Sequence, residues 1–137
     1  MTCQANISTD SEKRAVAALV DAYTAAFDAK DFQKFSGYCS DEMKFFTLDG
    51  QIFDRETMVP FLDRMMSRWQ HLKTSIDGLE INASSRYGWA RYQQIIRFSI
   101  AGQEGAMHNL ISVGLVKEND SWRISHFHMS TSYIKNQ

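Results

Sequence analysis

Two histidines stand two residues apart in the run Trp122-Arg123-Ile124-Ser125-His126-Phe127-His128-Met129-Ser130-Thr131. The run alternates and is rich in β-formers, so it reads as a strand. Residues i and i+2 of a strand share a face, so both imidazoles could turn to one metal ion, with His108 on a neighbouring strand as a third ligand. The competing reading is structural, and no metal is expected. Cys39 has no histidine close in sequence and reads as a buried, inert thiol. No glycine-rich phosphate loop or dinucleotide fingerprint is present, and no cofactor is expected.

The elements that must position these groups are those of a single domain. The chain has 137 residues, 44% hydrophobic and 23% charged, the balance of an ordinary globular protein. A chain this long buries roughly two thirds of its unfolded surface and needs no staple. A net charge of -1 argues against nucleic acid or an anionic membrane as partner. The two cysteines, Cys3 and Cys39, lack ligand spacing and suit a reducing compartment. No leader-like or membrane-spanning apolar run is seen, so the cytoplasm is the expected location.

Residues 1–8 are expected to be a flexible N-terminus and 9–134 one domain. Thr9-Asp10-Ser11-Glu12 has capping-box spacing, and a helix should run from about residue 10 to 29 on the stripe Val16, Leu19, Val20, Tyr23, Ala26 and Phe27. Asp31 should cap a short second helix. Residues 43–48 and 51–53 flank an Asp49-Gly50 turn. A third helix should reach about residue 72, capped by Thr57 or kinked at Pro60, because Pro60 is tolerated in a first turn. Residues 73–84, 88–101, 106–117 and 121–132 read as four strands, with 84–87, 101–105 and 117–121 as turns. Three helices with a small hairpin, then a meander, make an α+β domain.

The segment 121–130, SWRISHFHMS, resembles the terminal strand of the nuclear transport factor 2-like (SnoaL-like) superfamily. It is similar in particular to the association domain of calcium/calmodulin-dependent protein kinase II, whose last strand carries a Trp-x-Ile-x-His-Phe-His-x-Ser run. Residues 31–46, DFQKFSGYCSDEMKFF, are also similar to that domain, and the spacing from Gln93 to Val113 to Met129 fits without gaps. The resemblance spans residues 10–132. It implies a cone-shaped, curved antiparallel sheet with about three helices on its concave side, closing on a pocket.

The same resemblance implies which residues face that pocket: Ser125, Phe127, Met129 and Thr131 on the last strand, Asn109, Ile111, Val113 and Leu115 before it, and Arg91, Gln93, Ile95 and Arg97 before that. The association domain's pocket arginines correspond to Gln93, Val113 and Met129 here, so carboxylate capture is not implied. The superfamily's ketosteroid isomerases place a tyrosine where Tyr23 stands, a base aspartate at Thr47 and a protonated aspartate near Val113. Thr47 cannot take a proton at neutral pH, so that constellation is broken. The expected ligand pocket is walled by Phe27, Met65, Trp69, Val113, Phe127 and Met129, with Tyr23, Thr47, Gln93 and Asn109 as polar points. Tyr92, Ile96, Phe98, Leu110, Trp122 and Ile124 would form an apolar outer face that pairs two copies. Two readings follow: a homodimeric binding or assembly domain for a small apolar or weakly polar molecule, or a cofactor-free SnoaL-type isomerase, cyclase, dehydratase or hydrolase of a ring-containing substrate.

Overall fold

A single apolar stripe sets the first element. In a computed structural model, which describes residues 9–47 and 49–136 (132–136 by backbone alone), helix α1 runs Asp10–Asp28 and buries Val16, Leu19, Val20, Tyr23, Ala26 and Phe27. Every residue of the expected stripe is therefore inside. Thr9 caps α1 by accepting from the Glu12 N–H at 3.2 Å. The Glu12 carboxylate does not close the box; it reaches across to Lys117 and Trp122. Asp31 caps α2, Phe32–Ser36. The expected flexible segment 1–8 lies outside the described residues.

Strand β1 is Cys39–Phe46 and β2 is Ile52–Asp54. Helix α3, Arg55–Met65, starts and ends earlier than the sequence suggests. Its cap is Asp54, not Thr57: Asp54 Oδ1 accepts from the Thr57 N–H at 2.9 Å, and Thr57 Oγ1 accepts from the Asp54 N–H at 3.1 Å. This reciprocal box outweighs the hydrogen bond lost at Pro60, which lies inside the helix with its ring exposed. Strands β3 Gln70–Ala83, β4 Tyr87–Ile100, β5 Gln103–Glu118 and β6 Ser121–Asn136 complete the chain.

The six strands form one curved, unclosed sheet in the order β2-β1-β6-β5-β4-β3, antiparallel except for the parallel β1–β6 pair. The long hairpins close through tight turns, Ala101-Gly102 and Asn119-Asp120, all four residues at positive φ, which matches the twist of a two-residue turn. Three helices lie with the sheet around one core.

Two sequence expectations about facing are corrected. On β4, Tyr92, Ile96 and Phe98 are buried on the inner face, while Arg91, Gln93 and Arg97 are exposed outside. The β4–β5 ladder runs unbroken, so Tyr92 pairs with Ile111 and Gln94 with Asn109. The face expected to be inward is the outer one, and a phase change of one residue turns a whole strand over. On β6, Trp122 and Ile124 are buried together with Phe127 and Met129. A bulge lies between Ile124 and His126, where the partner advances only from Leu115 to Gly114, so Ser125 is an extra residue and the parity changes there. Gly114 allows this: a Cβ on it would lie 3.1 Å from His126 Cβ.

Candidate ligand-binding site

Alpha-helix α1 and strand β4 meet through two phenols. The Tyr23 and Tyr92 oxygens are 2.6 Å apart and both residues are buried. Tyr23 stacks on Phe35, and the Phe127 ring meets Tyr23 edge-on and stacks on Phe45. Burial holds the Tyr23 phenol well above the ordinary tyrosine range, and it raises Tyr92 too. Both are therefore neutral hydroxyls at physiological pH.

Beside them lies a cavity lined by Tyr23, Thr24, Phe27, Phe35, Phe45, Gln94, Phe127 and Met129. The cavity volume is only about 10 Å³. That is close to the minimum for a single water. The wide pocket expected from the sequence is thus nearly filled by its own aromatic wall.

Its polar groups come from two sources. Asn109 Nδ2 donates to Gln94 Oε1 at 2.8 Å, and Thr131 Oγ1 donates to Asn109 Oδ1 at 2.8 Å, a relay across three adjacent strands. The Thr24 hydroxyl oxygen is buried and has no partner among the described residues.

Of the residues expected from sequence, Tyr23, Phe27, Phe127 and Met129 line this cavity, and Asn109 reaches it through Gln94. Val113 is buried within the sheet, paired with Ala90 and Phe127. Gln93 points outward, and Gln94 holds the place it was assigned. The buried Thr47 hydroxyl is engaged by its own turn, donating to Asp49 Oδ1 and accepting from the Gln51 N–H at 3.0 Å. Met65 is partly buried, and Trp69 stacks on Phe98 at 4.2 Å, away from the cavity lining. Thr24, Phe35, Phe45, Tyr92 and Gln94 were not anticipated. Counting back from a two-residue Ala101-Gly102 turn places Gln94 and Tyr92 correctly.

The histidines are elsewhere. His126 and His128 are exposed on the outer face against Phe46, with centroid distances of 4.7 and 6.2 Å. Though exposed, His126 is partly desolvated, and this, then the neighbouring His128, lowers its pKa. His108 pairs with Ile95 and Tyr133, well along the strand from both. Among the described residues no three His, Cys, Asp or Glu side chains are grouped to hold a metal. No described helix is long and apolar enough to cross a membrane.

Solved structures share this arrangement of sheet and helices. A proposed scytalone dehydratase from Novosphingobium aromaticivorans superposes with a TM-score of 0.84 at 11% identity, covering 93% of this chain and 88% of that one. A proposed aromatic ring hydroxylase from the same species gives 0.82 at 12% identity, with 94% and 95% covered. A proposed calcium/calmodulin-dependent protein kinase II association domain from Xanthomonas campestris gives 0.78 at 18%, with 95% and 94% covered. Others are described as having a cystatin-like fold. At these identities the likeness is one of fold. No curated protein matches the sequence. The model of the SnoaL-like domain matches residues 16–134, from within α1 to near the end of β6, and the chain belongs to that family.

Proposed function

We propose that this chain is a non-catalytic binding domain: a cytoplasmic homodimer that takes a small apolar or weakly polar ring compound between α1 and the inner face of the sheet. No cofactor, nucleic acid or membrane has a part in this reading. The observation that carries it is the composition of the cavity wall. Tyr23 is the one titratable side chain among the described lining residues, and burial keeps its phenol neutral. An acid–base reaction would need a partner group within reach. The nearest hydroxyl to Tyr23 is another buried phenol, not an imidazole. Aromatic rings and a flexible thioether offer contact area and room to adjust, and ligand entry requires Met129 and its neighbours to move aside. The outer face supports pairing of two copies: Trp89 and Leu110 are exposed there, at 39% and 53%.

The alternative is a cofactor-free SnoaL-type isomerase, cyclase, dehydratase or hydrolase of a ring-containing substrate. It is favoured by the names of two structural neighbours, a dehydratase and a ring hydroxylase. NMR titration with one-ring compounds separates the readings. Shifts at Tyr23, Phe127 and Met129 with the compound unchanged after prolonged incubation support binding; conversion of the compound supports catalysis; no shifts sink both. Light scattering should give twice the chain mass, and Leu110→Glu should halve it. A monomer mass for the unaltered chain at micromolar concentration removes the homodimer.

A further inference from the structure

Donor hydrogens are left unspent around the cavity. Gln94 is 6% exposed, and its Oε1 is taken by Asn109, whose own Oδ1 is taken by Thr131. The Gln94 Nε2 group makes no bond to the protein among the described residues. Tyr23 and Tyr92 have two hydroxyl protons and share one bond, so one O–H remains to be given. Thr24 Oγ1 is buried without a partner among the described residues, forgoing the backbone carbonyl that helical threonines often use. The side-chain carbonyl oxygens of the relay are both occupied. The amide and phenol hydrogens lack an acceptor, while the Thr24 hydroxyl is free to give or to take a bond. Among the described residues no lysine, arginine or histidine lines the cavity, so an anion there would be buried unpaired.

We infer that the ligand of this site presents a neutral acceptor oxygen, a carbonyl or an ether, to the Gln94 amide, and that Asn109 and Thr131 set that preference by fixing which end of the amide faces the cavity. This rests on the cavity being a ligand site. Gln94 is then the recognition residue, and Asn109 and Thr131 are positioning residues. Neither need touch the ligand. A primary amide is nearly symmetrical in shape, so its orientation follows its hydrogen bonds: with the Thr131 O–H given to Asn109 Oδ1, Asn109 Nδ2 faces Gln94 Oε1. Asn109 offers it a donor, which holds the oxygen and leaves the N–H groups to the cavity.

The test is a titration of the whole chain, by calorimetry or NMR, with four probes of one size: acetophenone as acceptor, aniline as donor, toluene as the apolar reference and benzoate as the anion. Acetophenone should bind about tenfold more tightly than toluene, the worth of one neutral hydrogen bond. Benzoate should be the weakest. Gln94→Leu should bring acetophenone down to toluene. Asn109→Asp supplies two acceptor oxygens, one for Thr131 and one for Gln94 Nε2, which turns the Gln94 oxygen to the cavity; aniline should then overtake acetophenone. If that variant does not fold, Thr131→Val serves, because it releases Asn109 and should narrow the acetophenone-to-aniline ratio to about threefold or less. Equal binding of toluene, acetophenone and aniline, or a preference unmoved by the relay variants, overturns the inference and leaves the ligand site standing. Failure of all four probes removes the ligand site and the inference together.

Discussion

The hydroxyl oxygens of Tyr23 and Tyr92 lie 2.6 Å apart, joining the middle of α1 to the inner face of β4 where water is excluded. Each phenol is the other's protein partner, so deleting one oxygen strands the other. Tyr23→Phe and Tyr92→Phe should each cost about 1–2 kcal/mol in urea unfolding, the penalty for an orphaned buried hydroxyl. The double variant should cost less than the sum, because neither oxygen is then left alone. Additive losses would mean the two hydroxyls act independently.

The same pair makes the fold sensitive to alkali. Both phenols titrate above the ordinary value of 10.0, chiefly through burial. A raised native value favours the protonated form, so this contribution is complete below pH 10 and is lost as pH rises toward the native values. Stability measured from pH 8 upward should begin to fall near pH 10. The fall should be shallower in the double phenylalanine variant.

At the other end of α1 the sign reverses. The Glu12 carboxylate accepts from Lys117 Nζ at 2.9 Å and Trp122 Nε1 at 3.1 Å, tying the first turn of the helix to the β5–β6 hairpin. The Lys117 hydrogen bond, then that of Trp122, holds its pKa below the ordinary 4.5. Its contribution is therefore full above pH 4.5 and vanishes as pH falls through the lowered native value. Glu12→Gln should cost about 1 kcal/mol at pH 7, modest because the group is partly exposed, and should flatten the acid limb of the stability curve. An unchanged acid limb would remove Glu12 from the account.

What could be read from sequence, and what could not, follows from periodicity. The stripe of α1 has one apolar side, and a 3.6-residue period fixes which residues are inside, so Tyr23 and Phe27 were placed correctly. A strand's period of two fixes the alternation but not its phase. On β4 large apolar side chains occupy both parities, Tyr92 and Ile96 on one, Ile95 on the other, so composition does not choose between Gln93 and Gln94. The choice is made by the turn: Ala101-Gly102 pairs Ile100 with Gln103 and sets every later partner. Reading the turn as residues 101–105 lost that phase. On β6 the bulge at Ser125 changes the phase midway, and no single parity could describe Trp122, Ile124, Phe127 and Met129 together. The crowding of bulky residues on both parities of that run was the available sign.

Cys39 is 1% exposed, its Sγ donates to the Phe35 carbonyl at 3.7 Å, and burial pushes the thiol up to about 12. Reaction requires the thiolate and access to it. In a Cys3→Ser variant, a disulfide reagent at pH 8 should find no reactive thiol in the native protein and one after unfolding. Rapid native labelling would mean that the α2–β1 junction opens readily.

Met129 decides the inner face. It is 5% exposed, pairs with Ile111 on β5 and lines the cavity among Tyr23, Phe27, Phe45 and Phe127. No described lining residue carries an acid, so an arginine at this position would have no counter-charge among them. Met129→Arg should lose about 3–5 kcal/mol, as for other unpaired buried ions. A carboxylate small enough to enter the cavity would supply the missing partner. Benzoate should therefore raise the melting temperature of Met129→Arg and leave that of the unaltered chain where it was. The two measurements are independent. A variant that melts like the parent and ignores benzoate would place residue 129 at the surface, and the inner face assigned to β6 would be wrong. A variant that is destabilised but not rescued would keep Met129 inside and show that the cavity does not open far enough to admit a ring.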